Sequence, residues 1–159
     1  MKILFIGPYR QNDGWGNQAR AYIKSLNTTS HDIVIRPAYL GGRARQTEND
    51  SIITDLENKS DKDCDIVIQN ALPSFFEYNG SFEKNIGLML TETRGLDYLG
   101  WPQNMNLMDE IWVPSKQCVI NIDPQLDSEC FGNRTRVPVK NIRSPLDTDI
   151  FNHSHKKIE

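Results

Sequence analysis

The apolar residues of this chain form short runs that are bounded by glycine, proline and polar residues. Continuous apolar runs of about four to eight residues with such boundaries are typical of buried strands. The sequence therefore predicts six strands, at residues 2–6, 32–37, 64–69, 85–91, 110–113 and 137–142. Pro138 cannot donate a hydrogen bond to a neighbouring strand, so the sixth strand is expected at or near a sheet edge.

Between the predicted strands, apolar residues recur at helical spacing. The clearest set follows the first strand at i, i+3, i+4 and i+7: Ala19, Tyr22, Ile23 and Leu26. Asn17 is the predicted N-cap of this helix, and weaker helical patterns cover residues 47–59, 102–107 and 116–121. Alternating strands and helices predict an α/β fold, a Rossmann-like, doubly wound, mainly parallel sheet with helices on both faces. Ligands of such sheets bind beyond the carboxyl ends of the strands, so the loops there carry the candidate chemistry.

Composition and charge narrow the classes of partner. A length of 159 residues suits one domain, and a net charge of −3 provides no basic surface for nucleic acid, so no such partner is predicted. No apolar stretch approaches the roughly 20 residues of a membrane span, and the first apolar run is too short for a signal peptide. The three cysteines lack metal-ligand spacing, so no metal site is predicted. The expected location is the cytoplasm.

The loop after the first strand contains the string Gly14-Trp15-Gly16-Asn17-Gln18-Ala19. Glycines at a helix N-terminus allow backbone amides to approach a phosphate, and an indole between them suits stacking on a sugar or a nucleobase. A simple glycine turn into a helix is the alternative. A dinucleotide-binding interpretation fits less well, because the first glycine follows the strand too late and Arg36 stands where an acidic residue would bind the ribose. Arg36 would suit a 2′-phosphate, so this alternative stays open.

Polar residues also follow the third and fourth strands. Asn70 follows the third, and Glu92, Thr93 and Arg94 follow the fourth. A carboxylate and a guanidinium at this edge suit hydroxyl groups and phosphates, respectively. The alternative is a surface ion pair between Glu92 and Arg94. Trp101 either lines the same cleft or packs in the core.

Four motifs occur in a specific order along the chain: the glycine string, Glu92-Thr93 followed by Trp101-Pro102, Asp-Glu-Ile-Trp-Val-Pro-Ser at 109–115, and Pro-Leu-Asp-Thr-Asp-Ile-Phe at 145–151. In this order they resemble the N-terminal half of GT-B glycosyltransferases of the family 4-like kind. The resemblance implies retaining transfer of a sugar between two Rossmann-like domains that face each other across a cleft. It also implies no cofactor, with a nucleotide-sugar donor as co-substrate and a sugar or a lipid-linked sugar as acceptor.

The resemblance assigns roles to the candidate residues. The N-terminal domain of the family holds the acceptor, and its glycine loop, here Gly14, Trp15, Gly16 and Asn17, approaches the donor phosphates. The histidine often found at the sheet mouth is not evident, so Glu92 is the candidate catalytic residue at the reacting hydroxyl. Asn70, Thr93, Arg94 and Trp101 are the residues expected to contact substrate.

The resemblance also sets expectations for domains. The Glu-x7-Glu signature of the family's donor domain does not occur in this sequence, and Leu146 replaces a common glycine. We therefore expect an acceptor-side domain at 1–145 and the beginning of an interdomain linker at 146–159. The donor domain would come in cis or in trans, and this part alone would be inactive. The alternatives are a stand-alone module that binds sugar or protein and, less favoured, an NAD(P)-binding oxidoreductase domain.

Overall fold

A computed structural model describes residues 1–40, 50–92, 96, 100–122 and 136–146. Its strands are β1 (Lys2–Gly7), β2 (Asp32–Pro37), β3 (Ile66–Asn70), β4 (Lys84–Leu88), β5 (Glu110–Val113) and β6 (Val139–Asn141). Its helices are α1 (Gly14–Asn27), α2 (Ser51–Glu57), α3 (Trp101–Met105) and α4 (Lys116–Ile122), with a 3-10 turn at Pro73–Phe75. The six predicted strands are all present, although β4 and β6 are shorter than predicted.

All the strand pairs are parallel, in the order β2-β1-β3-β4-β5-β6. The chain passes from β1 outward to β2, and from β3 it continues in the opposite direction to β4, β5 and β6. The connections therefore diverge at the carboxyl ends of β1 and β3, which makes this point the topological switch of the sheet. The edge position predicted from Pro138 is confirmed, because β6 is an outer strand and follows this proline directly.

Helices cover both faces of the sheet, which confirms the predicted fold class. On β1, Phe5 joins one core cluster with residues of α1 and α2. On β5, Ile111 and Val113 join another cluster with residues of α3 and α4. Trp112 lies between these two residues in sequence and packs against the first cluster instead. Because side chains alternate along a strand, the two clusters lie on opposite faces.

The start of α1 differs from the prediction, because Asn17 is not the N-cap. Asp13 has that position, and its carboxylate accepts a hydrogen bond of 2.9 Å from the Gly16 N–H. A capping side chain must precede the first helical turn to reach amides that lack an intrahelical acceptor. Asn17 lies inside the helix, and its own N–H donates to Asp13 O at 2.9 Å. The glycine string therefore forms the first turn of α1 and not a loop.

The Asp-Glu-Ile-Trp-Val-Pro-Ser motif is structural scaffold. At its start, the Asp109 carboxylate accepts a hydrogen bond of 2.7 Å from the Asn85 N–H and so ties β5 to β4. At its end, Ser115 Oγ accepts a hydrogen bond of 3.2 Å from the Cys118 N–H at the beginning of α4. Glu110, between them, is buried and pairs with lysines of β4 and β6. The motif holds three strands and a helix together.

Candidate functional site

The switch point of the sheet brings Gly7 of β1 beside Asn70 of β3. Their neighbours Ile6 and Gln69 are partners in the ladder. A Cβ atom at Gly7 would lie 3.1 Å from Asn70 Cβ and 3.5 Å from Asn70 Oδ1. The missing side chain at Gly7 thus gives the amide of Asn70 its space at the carboxyl edge.

The side chain of Asn70 is fully buried but only partly hydrogen-bonded. Its Nδ2 donates to the Leu88 carbonyl at 3.2 Å, whereas its Oδ1 has no partner among the residues that the structure describes. A buried acceptor without a partner costs roughly 1–3 kcal/mol, so such a group calls for an explanation. The structure thus places this residue at the carboxyl edge of the sheet with a buried acceptor atom that lacks a partner, and its role in substrate binding stays a prediction.

The connection from β1 to α1 is fixed by Arg20 of α1. The Arg20 guanidinium donates to the backbone carbonyls of Tyr9 and Gln11 and to Asn17 Oδ1. A turn closed by the Gln11 N–H and the Pro8 carbonyl, 2.8 Å apart, completes the connection. The connection is therefore a hydrogen-bonded unit, and Asn17 is an exposed residue within it.

Packing within the protein explains why residue 16 is a glycine, and the sequence did not reveal this reason. A Cβ atom there would lie 1.8 Å from the Gln11 carbonyl oxygen, so only glycine lets this connection close against the helix. Gly14 is different, because a Cβ atom at Gly14 would meet no atom within 4 Å. The amides of Gly14 and Trp15 lie at the first two positions of α1, where no carbonyl of the helix can accept from them. Phosphate binding by this string remains a prediction, and these two amides are the ones placed for it.

A second cluster, missed in the sequence, joins this connection to α2. Tyr9 is fully buried, and its hydroxyl donates to Glu57 Oε1 at 2.8 Å. Arg10 binds the same carboxylate through Nε at 3.0 Å and through Nη2. The hydrogen bond from Arg10 lowers the pKa of Glu57, whereas burial and Glu57 together raise the pKa of Tyr9. A Tyr-Arg pair directly after Gly7-Pro8 was the available signal, but its partner lies 47 residues away from Arg10.

We expect Glu57→Gln to reduce the free energy of unfolding by roughly 1–2 kcal/mol. The amide keeps one acceptor oxygen but loses the charge and the two-point contact with Arg10. Urea unfolding measures the change, and Asp55→Asn on the exposed side of α2 is the matched control. Equal stabilities of these two variants would contradict a stabilising role for the cluster of Tyr9, Arg10 and Glu57.

Arg36, the candidate for a nucleotide 2′-phosphate, is occupied by protein groups. Its guanidinium donates to the carbonyls of Glu57 and Lys59 at 2.9 and 2.8 Å and to the Asp61 carboxylate at 3.1 Å. A phosphate would have to displace these contacts. This arrangement weighs against the NADP-binding alternative.

The other predicted site residues lie in or near the connection from β4 to α3. Glu92 is exposed beyond the end of β4, the strand next to Asn70. Trp101 is the first residue of α3; it is half-buried and packs against the core on that face. Thr93 and Arg94 lie outside the described residues, and so does any ion pair between Arg94 and Glu92.

In the part of the chain described, no group of three or more His, Cys, Asp or Glu residues is arranged to hold a metal ion. In that same part, no helix is long and apolar enough to cross a membrane.

Comparison with known proteins places this fold. No family model and no curated protein matches the sequence. Two solved structures match, an alpha-glucosyltransferase in complex with UDP-glucose and DNA containing an abasic site, and an alpha-glucosyltransferase in complex with UDP. Each has a TM-score of 0.60 and 14% sequence identity, and each alignment covers 98% of this chain. The chain spans about half of these proteins, 45% and 47% of their lengths. At this identity the similarity concerns the fold, and the fold is the glycosyltransferase-like one that the motifs predict.

Proposed function

We propose that the chain is the acceptor-side domain of a glycosyltransferase that transfers a sugar from a nucleotide-sugar donor. The observation that carries the proposal is the match of 98% of this chain to about half of two alpha-glucosyltransferases. In this proposal, residues 1–145 form the acceptor-side domain, and 146–159 lead toward a donor-binding domain supplied in cis or in trans. The family 4-like grouping and the retaining outcome belong to the same proposal.

The crevice at the switch point is where the reacting groups would meet. The unpaired Asn70 Oδ1 would accept a hydrogen bond from an acceptor hydroxyl. The amides of Gly14 and Trp15, at the positive end of α1, would face the donor phosphates. Glu92, on the exposed segment after the neighbouring strand, would take the proton of the reacting hydroxyl. Together these groups supply an anion site, a hydroxyl acceptor and a carboxylate.

The remaining predicted residues have supporting roles. Trp101 would present its exposed part to a sugar ring while its buried part packs in the core. Thr93 and Arg94 would contact substrate or phosphate next to Glu92. Asn17 and Gly16 would act indirectly, because their contacts within the protein hold the first turn of α1. A nucleotide sugar serves as co-substrate, and the acceptor is a sugar or a lipid-linked sugar.

Calorimetry on the longest natural form of the protein, or on this chain mixed with a separately encoded donor domain, tests the proposal. We expect UDP-glucose or another nucleotide sugar to bind and NADP⁺ to give no heat of binding. NADP⁺ binding without a response to nucleotide sugars would contradict the proposal and favour the oxidoreductase alternative. Absence of both responses would favour a non-enzymatic module.

Asn70→Ala separates a substrate role from a structural one. Leu88 O also accepts from the Ala71 N–H at 3.2 Å, so the substitution leaves this carbonyl with a donor. Removal of an unpaired oxygen offsets the small cavity, and we expect the free energy of unfolding to change by at most about 1 kcal/mol. The transfer rate of the complete enzyme should fall about tenfold or more. An unchanged rate would remove Asn70 from the site.

A further inference from the structure

Two aromatic side chains stand out from the connection between β3 and β4. Phe75 is 56% exposed and Tyr78 is 53% exposed. They are three positions apart, at the end of the 3-10 turn and in the segment that follows it. A ligand that covers rings with this exposure gains binding free energy, because aromatic surface is removed from water.

The backbone that carries these rings is held by two buried amide side chains. Gln69 of β3 donates to the Glu77 carbonyl at 2.6 Å and accepts from the Glu77 N–H at 2.9 Å. Asn85 of β4 accepts from the Asn79 N–H at 3.0 Å and donates to the Asn79 carbonyl at 3.1 Å. Each amide thus bonds to the N–H and to the carbonyl of one residue, as a neighbouring strand would. Tyr78 lies between the two residues that are held in this way.

A third contact anchors the same segment. Phe76 is buried, and a Cβ atom at Gly87 of β4 would lie 2.5 Å from its ring. The inward ring of Phe76 therefore fits over a glycine, while its neighbour Phe75 is exposed. Because the backbone is fixed before any ligand arrives, little conformational entropy is lost when the exposed rings are covered.

The position of the segment relates it to the crevice. Gln69 lies near the carboxyl end of its strand and Asn85 near the amino end of β4. The segment therefore begins at the carboxyl edge with Phe75 and continues away from it past Tyr78. The 3-10 turn also packs against α3, the helix that begins with Trp101. Both rings therefore belong to the segment that runs outward from the proposed acceptor site.

The charged residues near the two rings narrow the class of ligand that the rings can bind. Residues 71–83 contain two carboxylates, Glu77 and Glu83, and no lysine or arginine. Carboxylates beside the rings disfavour a polyanion such as nucleic acid, which needs cationic side chains along its backbone. The flat apolar face of a neutral sugar ring suits an exposed aromatic ring, and its hydroxyl groups suit nearby polar groups.

We propose that Phe75 and Tyr78 form a subsite for an extended neutral glycan, so that the acceptor is an oligosaccharide or polysaccharide whose further units lie over these rings. The inference rests on the proposed function, because sugar transfer at the crevice supplies the chain end that the subsite extends. The glycan would extend outward from the crevice and would contact Phe75 and Tyr78.

The test is direct binding of defined oligosaccharides to the full-length protein. Maltohexaose and cellohexaose are the neutral probes, and a heparin fragment and single-stranded DNA are the charged ones. We expect a neutral probe to bind and Phe75→Ala and Tyr78→Ala each to weaken its affinity about five- to tenfold, as the loss of one stacking contact does. Phe75→Tyr should retain binding. Ile120→Ala, at an apolar side chain on α4 that is 52% exposed, is the matched control and should change nothing.

The outcomes separate this inference from the proposed function. Glycan binding that depends on both rings, without nucleotide-sugar binding even after addition of a separately encoded donor domain, would support a glycan site at these rings and reject the transferase. Nucleotide-sugar binding with no ring-dependent binding of either neutral probe would overturn the subsite alone. Preference for heparin or DNA, or a protein partner whose binding is lost in both alanine variants while neutral glycans do not bind, would also overturn it.

Discussion

Gly16→Ala is expected to reduce the free energy of unfolding by about 3 kcal/mol. The new methyl group would lie 1.8 Å from the Gln11 carbonyl oxygen and 2.7 Å from its carbon, and both are backbone atoms. That carbonyl is itself held by Arg20 at 2.9 Å, so the connection cannot move without losing this hydrogen bond. Urea unfolding followed by circular dichroism measures the effect.

Gly14→Ala is the matched control for this substitution. It lies two residues earlier in the same helical turn, and its Cβ position is open. Alanine there should leave stability unchanged or raise it by up to about 1 kcal/mol, because alanine loses less backbone entropy than glycine does. If Gly16→Ala were as stable as Gly14→Ala but bound nucleotide sugar more weakly, the glycine would serve the ligand and not the fold.

Glu110→Ala is the second substitution with a large expected effect, about 2 kcal/mol of stability, because the carboxylate accepts three charge-assisted or buried hydrogen bonds. Lys140 Nζ lies 2.7 Å from the carboxylate, Lys84 pairs with the same oxygen, and Trp112 Nε1 donates to the other oxygen at 2.9 Å. Removal of the carboxylate leaves two lysines facing each other without a counter-charge. Asp32→Ala, which removes the exposed Lys59–Asp32 pair, is the control and should cost less than about 1 kcal/mol.

The same carboxylate predicts a pH dependence of stability. Burial by itself would raise the pKa of Glu110, but hydrogen bonds from Lys140, Lys84 and Trp112 outweigh burial and lower the pKa from 4.5 to about 2. The contribution is therefore fully present above the unfolded-state pKa of 4.5 and is lost as the pH falls from there toward 2. The stability difference between wild type and Glu110→Gln should shrink between about pH 5 and pH 2. A constant difference over this range would show that Glu110 does not titrate as its contacts require.

Much of the fold follows from local sequence, and particular residues show why. The run Ile3-Leu4-Phe5 is buried on both faces, so it had to be apolar at every position. Pro138 indicated an edge strand because proline lacks the donor that an inner strand needs. Such signals depend only on neighbours in sequence, and they were enough to predict six strands in one mainly parallel sheet.

The predicted N-cap was wrong, and the predicted role of Gly16 was incomplete, for a physical reason. Asp13 and Asn17 are both good capping residues, and only the position of the first helical turn decides between them. Gly16 looked like a phosphate-binding glycine, but the atom that excludes a side chain there belongs to Gln11 of the preceding connection. Loop geometry of this kind is set by the packing of the helix on the sheet, which sequence spacing does not specify.

The candidate site was partly predictable. Asn70 was identified because it follows a strand, and the structure adds its unpaired oxygen and its neighbour Gly7. The cluster of Tyr9, Arg10 and Glu57 was missed because Glu57 is distant in sequence from its two partners. The amides of Gln69 and Asn85 were also not predicted as holders of the aromatic segment, since each acts on backbone groups that any residue carries.

The sequence by itself determined the alternation of strands and helices, the parallel sheet and the likeness to one half of a glycosyltransferase, because these depend on local apolar patterns and on short motifs in order. Only the tertiary structure decided which polar groups are satisfied within the protein and which lack a protein partner. Arg36, Gly16 and Glu57 make contacts within the fold, whereas Asn70 Oδ1 is buried without a partner among the described residues and the rings of Phe75 and Tyr78 are exposed. That distinction depends on contacts between residues far apart in the chain, which only the packed fold creates.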